Sequence, residues 1–505
     1  MDNKLISWYI EEPSLLFGGN QKALDPRAGI MTFGPYYFQG QDRSSPSEIR
    51  LGIIGDGETI ALTKRWLEIC KSPIESTKNN LYLFPSFPGF TKDASFRSEF
   101  IVSPSLIEQI SDKEIDAVIA IPDVNKRISK GIDLFIDKIK LMAAREPQPQ
   151  VIICSLPQKI NEYCGITFRT RGAKRPKLTD IEKKILYAKQ MGQKFLSEYN
   201  VGGTQPQIEE KAYDFRRALK ARSMEYDIPI QIVRYGTLTG TQGLEDETTR
   251  AWNFCLALYY KAGGFPWRLA DFDPNTCYVG ISFYKEVGTL DENIRTSVAQ
   301  IFTSYGEGLV LRGENIHIDE KGDRNPHLDE NSSSKLLIDS INLYESQVKR
   351  KPVRIVIHKT SRYSNTELSG FNNAAKELQV NNLTMVAFGD RGIRFFRDGK
   401  YPPLRGMLTK LPDKSLIFFT HGYSPYLKTY PGFRIPKPLE ILEIHGSDDI
   451  TVVAKEILSL TKMNWNSAKF STMNPITIEF SREVGEILRE LPSGGRIQQQ
   501  YRFYM

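Results

Sequence analysis

The chain has 505 residues, 40% hydrophobic and 25% charged, with a formal net charge of +7. Such a length and balance suit two to four domains, each able to bury its own core, and exclude a disordered class. The longest apolar runs, at 117–122 and 151–154, fall far short of a membrane span, and Met1-Asp2-Asn3-Lys4 begins no signal-peptide core, so a cytoplasmic protein without membrane association is expected.

Residues 1–48 hold Glu12-Pro13-Ser14-Leu15-Leu16-Phe17-Gly18 and Phe33-Gly34-Pro35-Tyr36, rich in turn formers and without periodicity, which predicts an irregular N-terminal segment. From Ile49 the pattern alternates: strand 49–55, helix 58–71, strand 81–84, helix 105–113, strand 117–122, helix 131–144, strand 151–156. Strands and helices at this spacing predict a parallel, doubly wound, Rossmann-like sheet. The turn Ile54-Gly55-Asp56-Gly57 lacks the full dinucleotide fingerprint, so it is read as a plain strand-to-helix turn. Arg169, Arg171, Lys174, Arg175 and Lys177 form a basic run, either solvated or touching a phosphate backbone. A helix at 207–226 carries Arg216, Arg217, Lys220 and Arg222, and a strand follows at 228–233. The next helix starts near Glu245 and buries Trp252, Cys255, Leu256 and Tyr259 at i, i+3, i+4, i+7; Lys261, Gly263 and Gly264 close it.

The second half begins near Phe265. Its strand 277–284 turns Cys277, Val279, Ile281 and Phe283 to one apolar face, and strands are expected at 300–303 and 308–311. Helix 334–350 leads into strand 353–358, and helix 365–377 into strand 382–388. Strands 393–397, 407–410 and 415–420, a Tyr/Pro/Gly loop at 421–438, helix 477–490 and an aromatic tail to Met505 complete the chain. Antiparallel strands followed by α/β units are the order of an RNase H-like domain. The expected division is 1–48, 49–264 and 265–505. The five cysteines, Cys70, Cys154, Cys164, Cys255 and Cys277, are scattered within apolar runs and suit reduced core thiols.

Glu12-Pro13 with Phe33-Gly34-Pro35, Gly306 to Gly313 (GEGLVLRG), Thr429-Tyr430-Pro431-Gly432 through Glu440, and Lys462 to Asn466 with Pro475-Ile476-Thr477 occur in an order that resembles the short prokaryotic Argonautes. These proteins have only MID and PIWI halves, and the likeness is greatest to the group paired with a separate TIR–APAZ protein. The resemblance covers nearly the whole chain. It implies a Rossmann-like MID domain followed by an RNase H-like PIWI domain, and a guide 5′-phosphate pocket at Arg216, Lys220, Gln231 and Lys261. A phosphate needs several cationic or amide donors converging from different elements, and Arg216 and Lys220 at i, i+4 share a helical face. A solvated helix face also carries such a pair, and a last-turn lysine is favoured by the helix dipole. The resemblance further implies a magnesium ion between the guide phosphates and the C-terminal carboxylate of Met505, although an aromatic tail that only completes the core fits equally.

Two-metal phosphodiester cleavage needs several carboxylates. At the corresponding positions stand Ser282, Thr360 and Ser481, whose hydroxyls are uncharged, so the resemblance implies an inactive centre. Glu314 and Glu320 then have no site to complete, and Asp271 and Asp273 read as turn formers. The function implied is a subunit that holds a 5′-phosphorylated guide RNA and senses complementary single-stranded DNA without cutting it. It would activate the partner's NAD(P) hydrolysis against plasmids or phage, with oligomerisation. Arg312, Lys349, Arg350, Lys351 and Arg391 are basic residues available to a duplex channel. The N-terminal segment and the PIWI flank are the expected partner contacts. The rivals are a guide-directed nuclease and a small-molecule-binding α/β protein.

Overall fold

The computed structural model describes residues 5–37, 45–165, 214–240, 245–284, 294–303, 306, 308–317, 325–389, 392–396, 402–432, 435–492 and 494–505. The basic run at 169–177, Glu320 and Arg391 lie outside the described residues.

The N-terminal segment contains β1 (Ile6–Tyr9), β2 (Leu15–Leu16), β3 (Lys22–Ala23) and α1 (Pro26–Phe33). Asp25 caps α1 by accepting from the amides of Arg27 and Ala28, and Pro26 sits where no helical donor is needed. Next come β4 (Glu48–Gly55), α2 (Gly57–Lys71), β5 (Glu99–Gln109), α3 (Asp112–Ile119), α4 (Val124–Ala143), β6 (Val151–Leu156) and α5 (Gln158–Cys164). They are followed by α6 (Phe215–Ser223), β7 (Ile230–Arg234), α7 (Tyr235–Thr239) and α8 (Glu247–Lys261). Strands in the order β5-β4-β6-β7 make a parallel sheet, the Rossmann-like half. At its Gly55-Asp56-Gly57 turn, Asp56 accepts from the Thr59 amide at 2.8 Å, and the Thr59 hydroxyl accepts from the Asp56 amide at 3.1 Å. The polar groups of the turn therefore form a helix cap.

Two expected elements are exchanged. Residues 105–109 belong to strand β5, and 117–119 to helix α3, because the Ser111–Glu114 capping box starts a helix there. The short apolar run at 117–122 has too few residues for its periodicity to distinguish the two. Residues 81–84 form a turn rather than a strand, since the Asn80 side chain accepts from the amides of Tyr82 and Leu83, both at 3.1 Å. The described part of the expected strand at 393–397 is irregular.

The second half comprises β8 (Arg268–Leu269), β9 (Thr276–Tyr284), β10 (Ile294–Phe302), β11 (Gly308–His317), α9 (Glu330–Val348), β12 (Arg354–Lys359), α10 (Asn365–Glu377) and β13 (Asn382–Gly389). It continues through β14 (Met407–Lys410), β15 (Leu416–Phe418), β16 (Leu439–His445), α11 (Ile450–Leu460) and α12 (Ile476–Leu488). Among the described residues the large sheet runs β1-β14-β15-β16-β13-β12-β9-β10-β11. β9, β10 and β11 are an antiparallel meander, and β12 lies parallel between β9 and β13, the RNase H-like arrangement. Cys277, Val279 and Ile281 pack with α9 and α10 on one face; Tyr278 and Tyr284 join α12 and the C-terminal tail on the other. That second core continues through Trp252, Cys255, Leu256 and Tyr259 of α8 into Ile49, Leu51 and Ile53 of the parallel sheet.

The N-terminal segment is fastened to the second half at Glu12. Its carboxylate accepts from Arg405 Nε at 2.7 Å and Lys462 Nζ at 2.8 Å, and both cations are buried. Burial alone would raise the Glu12 carboxyl, but the two cations outweigh it and hold it at about 2. Lys462 is itself pushed down by burial ahead of the opposing pull of Glu12, so the stabilising sign is read from the carboxylate, which faces two cations. Its contribution is complete above the unfolded carboxyl value of about 4.3 and is lost as pH falls through about 2. Glu12→Ala leaves both cations buried without their anion. It is expected to cost about 3–5 kcal/mol in urea unfolding at neutral pH; a loss below about 1 kcal/mol would contradict this role.

Candidate functional site: a cation pocket and the sheet centre

Three elements of the parallel half converge on the pocket. Asp214 caps α6 by accepting from the Arg217 amide at 3.0 Å, and Ala218, Leu219 and Ala221 are buried. Arg216 is exposed, while Lys220 is buried and donates from Nζ to the Tyr504 carbonyl at 3.0 Å. Lys261, the last residue of α8, is also buried and donates to the Ile230 carbonyl at 2.8 Å and to Gln231 Oε1 at 2.6 Å. Gly263, at φ +99°, then turns the chain out of the helix in a conformation that a side chain would strain. Lys261 and Gln231 are thus in direct contact, and Lys220 is bonded to the tail.

Burial, then the charges of Arg216 and Lys261, push Lys220 well below the usual lysine range; Glu483 and Asp214 pull the other way. Burial and Arg216 bring Lys261 down to about 7. Among the described residues neither buried lysine forms an ion pair, and both amines rest on neutral oxygens of Tyr504, Ile230 and Gln231. Burying charge without a counter-charge is costly, so the arrangement favours an incoming dianion. A last-turn lysine bonded to a carbonyl is also a sound helix end, and Ile230 supplies that bond.

The tail completes this wall. Tyr501, Tyr504 and Met505 are buried; the Tyr501 ring stacks on Phe480 at 3.6 Å, and its hydroxyl donates to Glu483 at 3.1 Å. The Tyr504 hydroxyl donates to the Gln498 carbonyl at 2.7 Å. The tail is thus both a part of the core and the source of a pocket carbonyl. Beside it lies a groove of about 450 Å³ lined by Asp227, Gln347, Arg496, Gln499, Gln500 and Arg502. The residues fit a chain-held magnesium ion poorly: no three His, Cys, Asp or Glu gather among the described residues, and Lys220 and Lys261 bring hydrogen-bond donors rather than metal ligands.

At the sheet centre, Ser282 of β9 donates to the Ser481 carbonyl of α12 at 2.8 Å, and Ser481 Oγ donates to the Ile478 carbonyl at 3.1 Å. Thr360 is exposed, one residue beyond the Lys359↔Ile281 pair that joins β12 to β9. Beneath it, buried His358 bonds through Nδ1 to the Thr477 hydroxyl at 2.7 Å, and burial with the charge of Arg354 lowers its pKa to about 3. Glu314 is engaged with Lys335 at 2.6 Å. Asp271 pairs with Lys22 at 3.0 Å, and Asp273 caps the turn before β9 by accepting from the Asn275 amide at 2.9 Å. Lys349, Arg350 and Lys351 are exposed at the end of α9, and Arg350 donates to the Pro274 carbonyl at 3.0 Å.

Two contacts were not foreseen from the sequence. The Tyr504 bond uses a backbone oxygen, which leaves no residue-type signal. The 2.7 Å ion pair between Arg217 and Glu486 of α12 joins positions 269 residues apart.

No protein-family model matches the chain. It is 26% identical over 280 residues to the protein Argonaute of Aquifex aeolicus (strain VF5), spanning 55% of this chain and 36% of that protein. Among solved structures it resembles Clostridium butyricum Argonaute bound to a guide DNA and a 19-mer target DNA, with TM-score 0.61, 14% identity, and 98% of this chain and 54% of that one covered. It also resembles A. aeolicus Argonaute (TM-score 0.56, 16% identity, 98% and 54% covered) and Drosophila Piwi (TM-score 0.56, 12% identity, 99% and 56% covered). The chain thus spans about half the length of these solved relatives and about a third of the Aquifex sequence. It has an Argonaute homologue over 55% of its length and shares the fold of about half of a solved Argonaute.

Proposed function

We propose that this protein binds the 5′-phosphate of a guide RNA at Arg216, Lys220, Gln231 and Lys261 and senses complementary single-stranded DNA without cleaving it. The observation that carries the reading is the pair of buried lysines, resting on carbonyl oxygens beside Arg216 with no ion pair among the described residues. A terminal phosphate brings two negative charges and several acceptors to them. Pairing with the guide would read the target sequence, while the protein grips the guide end and backbone. Lack of cleavage is supported by Ser282, Thr360 and Ser481, which bring only hydroxyls to the sheet centre. Magnesium enters this reading only with the guide's own phosphates as ligands beside the Met505 carboxylate. In the same proposal, target binding activates a cytoplasmic TIR–APAZ partner, which oligomerises and hydrolyses NAD(P) in defence against plasmids or phage. No helix among the described residues is long and apolar enough to cross a membrane.

Binding of short RNA with 5′-phosphate or 5′-hydroxyl ends tests the pocket. The phosphorylated strand is expected to bind more tightly, and Lys220→Ala with Lys261→Ala should remove about 2–5 kcal/mol, at least about thirtyfold in Kd. Equal binding of both ends would overturn the pocket, and target cutting in magnesium or manganese would revive the nuclease.

The pH dependence has a defined sign. Lys261 has its folded pKa depressed to about 7, and a bound dianion raises it, so binding takes up a proton above that value. Affinity for the 5′-phosphate should therefore fall as pH rises from about 7, by up to about tenfold per unit from this group. It should also weaken below about pH 6, where the phosphate loses its second charge. A flat profile from pH 7 to 9 would contradict the assignment of Lys261.

A further inference from the structure

Helix α12 touches both the pocket wall and the sheet centre. Its Glu483 and Glu486, three residues apart, share one helical face. Glu483 accepts from the Tyr501 hydroxyl at 3.1 Å, and Glu486 pairs with Arg217 Nη1 at 2.7 Å. Tyr501 leads within three residues to the Tyr504 carbonyl that receives Lys220, and Arg217 adjoins Arg216. Thr477 and Ser481, four residues apart, occupy another face. There the Thr477 hydroxyl bonds His358 of β12, and the Ser481 carbonyl receives Ser282 of β9. The helix sits directly on the strand: a Cβ built at Gly280 would lie 2.0 Å from the Thr477 carbonyl oxygen, so only glycine permits this approach.

We infer that α12 is the element through which occupancy of the phosphate pocket reaches the sheet centre, with Glu483 and Glu486 as its positioning residues on the pocket side. This rests on the phosphate-pocket reading and adds to it. In the empty pocket both carboxylates hold α12 by bonds across elements: Glu486 to Arg217, and Glu483 to the Tyr501 hydroxyl. A dianion beside Lys220 and Arg216 brings two negative charges next to these carboxylates and repels them. The acidic face then loosens, while the other face remains bonded to β9 and β12. The loosening is felt at the sheet centre because both faces belong to one helix.

Hydrogen exchange on the full chain, saturated with a short single-stranded RNA bearing either a 5′-phosphate or a 5′-hydroxyl, tests this. Amides of 476–488 are expected to exchange at least about fivefold faster with the phosphorylated strand, while those of 215–223 exchange more slowly. Glu483→Gln keeps an acceptor for Tyr501 but removes the charge. It should abolish the end-dependence in 476–488 while the preference for the 5′-phosphate persists. If the phosphorylated strand is preferred but 476–488 exchanges equally or more slowly with it, the inference is overturned and the pocket stands. If neither end is preferred, the pocket fails and the inference fails with it.

Discussion

Two lysine amines buried at the junction of the two halves, with carbonyl oxygens as their hydrogen-bond acceptors, are the constraint around which the structure is arranged. Such groups are tolerated only where the surrounding backbone fixes them, and here it comes from three separate stretches of chain. The strand entering at Ile230 holds Lys261, the tail at Tyr504 holds Lys220, and the cap at Asp214 aims the helix from which Lys220 projects. Removing any of these leaves a buried amine without its bond. The same constraint explains why the last residues of the chain are buried rather than solvated.

The rest of the fold keeps those stretches together. The stripe of α8 belongs to one core with β4 of the parallel sheet and Tyr278 of β9, so the two sheets are not separate bodies joined by a linker. Glu12 does for the N-terminal segment what α8 does for the halves, using a carboxylate between two buried cations rather than apolar area. Both are long-range contacts, and both bring distant chain to the side of the large sheet that carries α12.

How much of this the sequence discloses depends on the range of each interaction. Trp252, Cys255, Leu256 and Tyr259 announce a buried helical face, and Gly263-Gly264 its end, because both signals lie within a few residues. The alternation from Cys277 to Phe283 likewise gives β9. The apolar run at 117–122 misleads because six residues fit a strand or a short helix, and the decisive capping box at Ser111–Glu114 lies upstream. Strand β1 is hidden because its partner β14 is some four hundred residues away. At the candidate site, Arg216, Lys220, Gln231 and Lys261 are named through the resemblance. The structure adds what no residue pattern holds: the contact of Lys261 with Gln231, the burial of both amines, and the backbone oxygen of Tyr504.

The account stands on the pocket being a phosphate site, and the most direct measurement is a structure of the protein with a 5′-phosphorylated guide strand bound. It predicts terminal phosphate oxygens within hydrogen-bond reach of Lys220 Nζ and Lys261 Nζ, with Gln231 alongside and Arg216 closing from solvent. A guide whose 5′ end lies elsewhere, for instance against Lys349, Arg350 and Lys351, with both buried lysines still bonded only to carbonyl oxygens, would contradict it.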